Sequence, residues 1–294
     1  MPYATNDTVR IHYEPMASGD GPAVILLAGA GRPSTDYDEL FCAPLIDAGF
    51  RPIRIDSRDT GRSDALVDIA PNLHAVKAAV LGRGNVLPPY GIADMARDVL
   101  AALADAGIDR ADFVGRSIGG LVAQQLAIMH PDRVRSLSLV MAMSRSMAEA
   151  IPDAVLDRLE GEHTPDETAY VERQLGVARA NGMADDFDAE RIADEARIAW
   201  QHGIHRGGTA RHFAASLAAP DLRAALGAMR IPTLILHGRH YKVIPLARAE
   251  ETAAAIPGAI LEVDETMGHD GPPRLRAAWG QRIAKHLVVA DARQ

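Results

Sequence analysis

The sequence predicts an α/β fold with a mostly parallel central sheet, helices on both faces, and a helical cap inserted after the sixth strand. Three observations carry that expectation. Short apolar runs alternate with amphipathic stretches toward both ends of the chain, the pattern of a parallel sheet wrapped by helices. The run Ala23-Val24-Ile25-Leu26-Leu27-Ala28 lacks polar alternation, as a strand buried on both faces should. Residues 147–228 read as consecutive helices, after which the alternation resumes.

In chain order, extended segments are expected at 8–13 and 23–28, the second ending in Gly29-Ala30-Gly31. A helix over 36–48 is closed by Gly49, and a strand follows at 51–56. Residues 64–90 read as irregular, with Gly82, Gly84, Asn85, Pro88 and Pro89. Ile92, Met95, Val99 and Leu103 recur at spacings of three and four and predict one buried helical face. A strand at 111–114 runs through Gly115 into a helix that Pro131 stops, and a further strand covers 134–143. Beyond the helical block come strand 232–236, helix 246–255, strand 259–263 and helix 273–287. The division expected is a core of 1–146 and 229–294 and a helical cap of 147–228 over the carboxyl edge of the sheet, where such sheets bind ligands.

With 294 residues, 48% of them hydrophobic and 24% charged, the chain reads as one globular core plus its insertion. The formal net charge is −8 with the acids scattered, which argues against nucleic acid as the main partner. No run approaches the roughly 20 apolar residues of a membrane helix. Residues 1–10 lack the apolar centre of a secretory signal. Cys42 is the one cysteine, so no internal disulfide or cysteine metal site is expected, and a reducing cytoplasm fits. The expectation is a cytoplasmic monomer or homodimer that acts on a small molecule without a cofactor. His202, His205 and His212 invite a zinc reading, but no further ligand follows at a recognised spacing, and they are expected on the cap surface.

The chemistry centres on Gly115-Arg116-Ser117-Ile118-Gly119, a G-x-S-x-G run between an apolar strand and a helix. A serine nucleophile on a sharp strand-to-helix turn needs small neighbours, which Gly115, Gly119 and Gly120 supply. An oxyanion hole needs two backbone N–H groups. Ile118 offers one, and Ala30, flanked by Gly29 and Gly31, offers the other. His269, in Met267-Gly268-His269-Asp270 after the last strand, is placed to act as general base.

These motifs resemble the α/β-hydrolase family, and within it bacterial hydrolases of the aclacinomycin methylesterase type. The resemblance extends to Asp56-Ser57-Arg58-Asp59-Thr60-Gly61-Arg62-Ser63, Pro89-Tyr90-Gly91, the segment 109–120, His130-Pro131-Asp132-Arg133-Val134 and Met267-Gly268-His269. It implies Ser117 as nucleophile, His269 as base, and hydrolysis of a carboxylic ester, on a polyketide-like natural product or a similar compound. One departure stands out. The family carries its catalytic aspartate in a run such as G-x-x-D-P-x-x-P, whereas here Gly238-Arg239-His240-Tyr241-Lys242-Val243-Ile244-Pro245 puts Tyr241 at the acid position. A tyrosine can bond a neutral imidazole, but with an ordinary pKa near 10 it does not stabilise an imidazolium. Asp264, Glu149 and Asp270 are the carboxylates weighed as substitutes, and the sequence leaves open whether any serves.

Arg58, Asp59 and Arg62 are expected in a structural network near the elbow; Arg116 is open between pocket and solvent. Met141, Met143 and Met147 are expected in the core or at the pocket entrance. Three functional classes follow: a serine hydrolase, a non-hydrolytic biosynthetic enzyme (cyclase, lyase or cofactor-independent oxygenase) using His269 alone, and a catalytically weak ligand-binding protein. An aspartate-nucleophile enzyme is disfavoured by the serine itself.

Overall fold

The computed structural model describes residues 2–66, 71–149, 151–160, 165–269 and 271–292. Eight strands form one sheet: β1 (Tyr3–Asn6), β2 (Val9–Pro15), β3 (Ala23–Leu27), β4 (Arg51–Ile55), β5 (Ala111–Arg116), β6 (Val134–Val140), β7 (Thr233–Gly238) and β8 (Ile260–Asp264). Their spatial order is β1-β2-β4-β3-β5-β6-β7-β8. β1 and β2 pair antiparallel, as do β2 and β4, and every pairing from β4 onward is parallel. Every residue of β3 and of β7 is buried, as the unbroken apolar runs require of strands covered on both faces. Register puts Leu27 of β3 beside Gly115 of β5, and Gly115 beside Leu139 of β6. The carboxyl ends of three neighbouring strands therefore open onto one place.

The helices are α1 (Glu39–Asp47), α2 (Leu73–Val80), α3 (Ile92–Asp105), α4 (Ile118–Met129), α5 (Asp153–Glu160), α6 (Glu167–Asn181), α7 (Ala189–Gly203), α8 (Gly208–Leu217), α9 (Arg223–Leu226), α10 (Leu246–Ala255) and α11 (Pro273–Asp291). α1, α6 and α7 each begin at an aspartate, Asp38, Asp166 and Asp188, whose carboxylate accepts the N–H three residues on. α5 to α9 all fall between β6 and β7. Cys42 is buried in α1, which pushes its thiol up to about 12 and leaves it chemically quiet.

Two elements differ from expectation. β1 was not foreseen, because only Ala4 of its four residues is buried and the segment shows no apolar run. α2 lies inside the stretch expected to be irregular. It is two turns long, capped by Asn72, whose side chain accepts from the Ala75 N–H at 2.7 Å, and it buries only Leu73 and Val76.

The three histidines expected on a solvent surface instead face the loop after β4. The His202 Nε2 lies 2.8 Å from Asp56 Oδ2, His205 Nε2–H donates to Gly61 O at 2.9 Å, and His212 Nε2–H donates to Arg58 O at 2.7 Å. Nearby, the Gly61 N–H donates to Gly203 O at 3.0 Å. An irregular loop leaves backbone carbonyls without a ladder partner, and imidazole N–H groups satisfy them. Asp56 also accepts from His12 Nδ1 at 2.9 Å and from the Ser34 N–H at 2.8 Å, which holds its carboxyl far below the usual range despite burial. His12, Asp56 and His202 form the one cluster of metal-ligating groups among the described residues. Both histidines already hydrogen-bond the carboxylate.

Arg58 and Asp59 anchor the same loop to the core. Arg58 Nε and Nη2 bond Asp98 of α3 at 2.6 and 2.7 Å, and its guanidinium covers the Tyr90 ring. Asp59 pairs with Arg211 of α8 at 2.8 Å and accepts from the Tyr90 hydroxyl at 2.6 Å. Removing one member of such a buried pair strands the other charge, which typically costs about 3–5 kcal/mol. Asp98→Ala is expected to lose that much stability in urea unfolding at pH 7; a loss below about 1 kcal/mol, the level of an exposed pair, would contradict a buried, satisfied ion pair at Arg58.

Candidate active site

Ser117 terminates β5 and precedes α4 with φ 52° and ψ −118°, a conformation that L-residues avoid. Its N–H donates to Val140 O at 3.0 Å, and its carbonyl accepts the Gly120 N–H at 2.9 Å. The turn closes because its neighbours have no side chains. A Cβ on Gly115 would run into the Gly119 carbonyl, one on Gly119 into the Leu27 carbonyl, and one on Gly120 into the Ala142 methyl.

Ser117, Ala30, Arg116, Tyr241 and His269 all line one cavity of about 1280 Å³, to which the inserted helices contribute. A recess of about 20 Å³ lies against it, lined by Ala30, Ser117, Ile118 and apolar side chains that include Met143 and Met147. Among the described residues, neither the Ala30 N–H nor the Ile118 N–H has a partner within the chain. Gly31, next in the loop, is engaged: its N–H donates to His212 Nδ1 at 3.2 Å. With Nε2–H bound to Arg58 O, the buried His212 ring is held in one neutral tautomer, and burial pushes its pKa down. Gly31 has φ +66°, and a Cβ there would strike Thr209 of α8. The loop after β3 is thus fitted directly onto α8, a contact the sequence did not announce.

His269 is held through its backbone. Its N–H donates to Asn181 O at 3.1 Å, and its carbonyl accepts Arg116 Nη2 at 2.9 Å. The ring lies parallel to Tyr241, with 2° between planes and 5.4 Å between centroids. Parallel rings direct the imidazole N–H vectors alongside the phenol rather than at its oxygen. Nδ1 is accordingly buried without a hydrogen-bond partner. Burial first, then the positive charges of Arg116 and Arg32, push the His269 pKa down to about 3, with Asp36 opposing. Tyr241 is buried too, which raises its phenol to about 12 and keeps it neutral. Arg116 and a side-chain hydrogen bond from the Ser117 hydroxyl oppose that rise.

None of the described carboxylates weighed from the sequence reaches His269. Asp264 accepts the Thr266 N–H and hydroxyl, each at 2.8 Å, and caps its own turn. Glu149 is exposed and bonded to Arg145 at 3.0 Å. Asp270 lies outside the described residues. The carboxylate whose charge does act on His269 is Asp36, which the sequence reading missed. It is clamped by Arg32 at 2.6 Å and lies 3.6 Å from Arg116 Nη1. Arg116 therefore faces the cavity. The four-residue spacing of Arg32 and Asp36 was the available signal.

Known proteins place this geometry in context. The family model described as alpha/beta hydrolase fold matches residues 22–272. A putative carbamate hydrolase RutD from Variovorax paradoxus is 34% identical, across 96% of this chain and 97% of its own length. Rhodomycin D methylesterase DnrP from Streptomyces peucetius is 26% identical, with 97% of each chain covered. Among solved structures, an enol-lactonase from Burkholderia xenovorans superposes with a TM-score of 0.73 at 25% identity, covering 98% of this chain and 100% of its own. The sheet order, the serine turn and these similarities agree, and the chain belongs to the alpha/beta hydrolase fold family as an enzyme of the hydrolase class.

Proposed function

We propose that the protein hydrolyses a carboxylic ester or related acyl bond through Ser117. The observation that carries the reading is the strained serine turn opening onto the same cavity as His269. In the reaction, Ser117 Oγ attacks the acyl carbon while His269 takes its proton, forming a tetrahedral oxyanion. The unpartnered Ala30 and Ile118 N–H groups stabilise that charge from the recess beside Ser117. His269 then returns the proton to the leaving oxygen, and water repeats the cycle on the acyl-enzyme. Tyr241 replaces the family's carboxylate, so the imidazolium that forms midway has no counter-ion on Nδ1 and faces Arg116 and Arg32. In serine proteases the corresponding loss costs roughly 10⁴-fold in kcat. Slow turnover is the consequence, not inactivity.

The cavity exceeds the roughly 300–1,000 Å³ common for small-ligand sites. Its size, with the likeness to a rhodomycin methylesterase, supports an ester on a bulky polyketide-like compound. The same groups suit a carbamate, the bond named for the Variovorax relative. One observation favours a second reading: an imidazole with no partner on Nδ1 can act alone, as a non-hydrolytic enzyme on this scaffold would need.

Short p-nitrophenyl esters separate these readings. Ser117→Ala is expected to lose its acyl-enzyme turnover, keeping only the residual rate that the oxyanion hole and binding supply. Tyr241→Asp is expected to gain about 10²-fold or more in kcat, recovering part of the missing carboxylate's contribution. Full activity in Ser117→Ala would sink the acyl-enzyme mechanism, and no gain in Tyr241→Asp would show that the acid position is not the limiting defect.

The pH profile is a second check. With His269 pushed down to about 3, the free enzyme keeps its base neutral well below the ordinary histidine pKa of about 6.5. kcat/KM should stay level from pH 8 to about pH 5, and Tyr241→Asp should move the acid limb upward. Stability shifts in a defined direction. Because the folded pKa is depressed, the unfolded chain takes up the proton first, and His269 lowers stability as pH falls from about 6.5 toward 3. A wild-type acid limb between pH 6 and 7 would contradict this description of the base.

A further inference from the structure

We propose that the substrate carries a carboxylate, bound by Arg116 and Arg32 beside Ser117. The proposal deepens the hydrolase reading and rests on it for the location of the scissile bond. Its basis is a local charge imbalance. The chain carries a net −8, yet the described residues lining the cavity include seven arginines and one lysine against four carboxylates. Several of these cations are matched: Arg54 by Glu14, Arg191 by Glu195, and Arg276 by Asp38. The cluster at the serine is not. Arg32 and Arg116 share the single carboxylate of Asp36.

The two guanidiniums are not equivalent. Arg32 spends Nε and Nη2 on Asp36, and Nη1 on the Gln174 side chain at 3.0 Å and the Tyr170 hydroxyl at 3.4 Å. Arg116 makes one hydrogen bond among the described residues, from Nη2 to the His269 carbonyl, and its Nη1 stands 3.6 Å from Asp36. A guanidinium has five N–H donors in a planar fork suited to two carboxylate oxygens. Arg116 therefore keeps donors for the cavity it lines, its side chain 20% exposed. As the residue before Ser117, it lines the same cavity as the serine. The lowered pKa of His269 comes first from burial, and the positive charges of Arg116 and Arg32 add to it. A bound carboxylate offsets those charges and supplies near the imidazole some of the negative charge that Tyr241 does not.

The test is calorimetric binding to Ser117→Ala, which holds substrate without turning it over. The probes are monomethyl glutarate and its neutral counterpart dimethyl glutarate. The half-ester is expected to bind at least tenfold tighter. Adding Arg116→Met should abolish that preference, whereas adding Asp36→Asn, which frees both guanidiniums, should increase it. The opposite signs separate a charge effect from structural damage, which would weaken both probes in both variants. Equal binding of the two probes, or a preference that survives Arg116→Met, overturns the proposal. Anion-selective binding without Ser117-dependent turnover in the wild type would reject the hydrolase reading and keep the anion site. Turnover of p-nitrophenyl valerate and mono-p-nitrophenyl glutarate at equal kcat/KM would do the reverse.

Discussion

Ser117 stands at φ 52° only because the backbone around it is stripped of side chains. Gly115, Gly119 and Gly120 let β5 and α4 approach until carbonyls and Cα atoms touch, and any methyl in that contact would force them apart. A residue in such a conformation carries about 1–3 kcal/mol of strain that the surrounding fold must offset. The fully buried β3 beside it and α4, most of whose residues are buried, provide that support. The close approach of β3 to this turn needs it too, since a Cβ on Gly119 would strike the Leu27 and Ala28 carbonyls.

What distinguishes this site from the usual arrangement is electrostatic. A carboxylate on the far nitrogen of the catalytic histidine ordinarily fixes its tautomer and supports its positive form. In the proposed mechanism Tyr241 stands at that place, and its ring stacks on His269. Orientation is taken over by the backbone, through Asn181 and Arg116, but the charge function is not. The same arginine that holds the loop also opposes imidazolium formation. Under the proposed mechanism, positioning and basicity, which one aspartate normally serves together, are separated and pull in opposite directions.

Much of this was readable in the sequence, and the reasons differ by element. β3 and β5 announced themselves because runs buried on both faces end at turn glycines, and Ser117, Ala30 and Ile118 are read from those ends, whereas Tyr241 is read from aligning Gly238 and Pro245 with the acid-bearing run of the family it resembles. Asp36 was hidden because its partners come from two strand ends that the sheet register brings together, Arg32 after β3 and Arg116 at the end of β5. His202, His205 and His212 were misplaced for a related reason. Polar side chains on or between the cap helices read as solvent-facing unless the backbone carbonyls they satisfy, here in the loop after β4, are known. Asp264 and Glu149 looked plausible as acids from chain position alone. Their local bonds, to Thr266 and Arg145, are short-range features that position in the chain does not reveal.

The central claim is that His269 works as a neutral imidazole with no carboxylate on Nδ1. Nitrogen-resolved NMR titration of the His269 ring in the resting enzyme tests it most directly. A midpoint near 3 and an Nδ1 with no strong hydrogen bond are predicted. A midpoint at or above the ordinary value of about 6.5, with Nδ1–H strongly bonded to an acceptor, would show that a carboxylate reaches the ring after all.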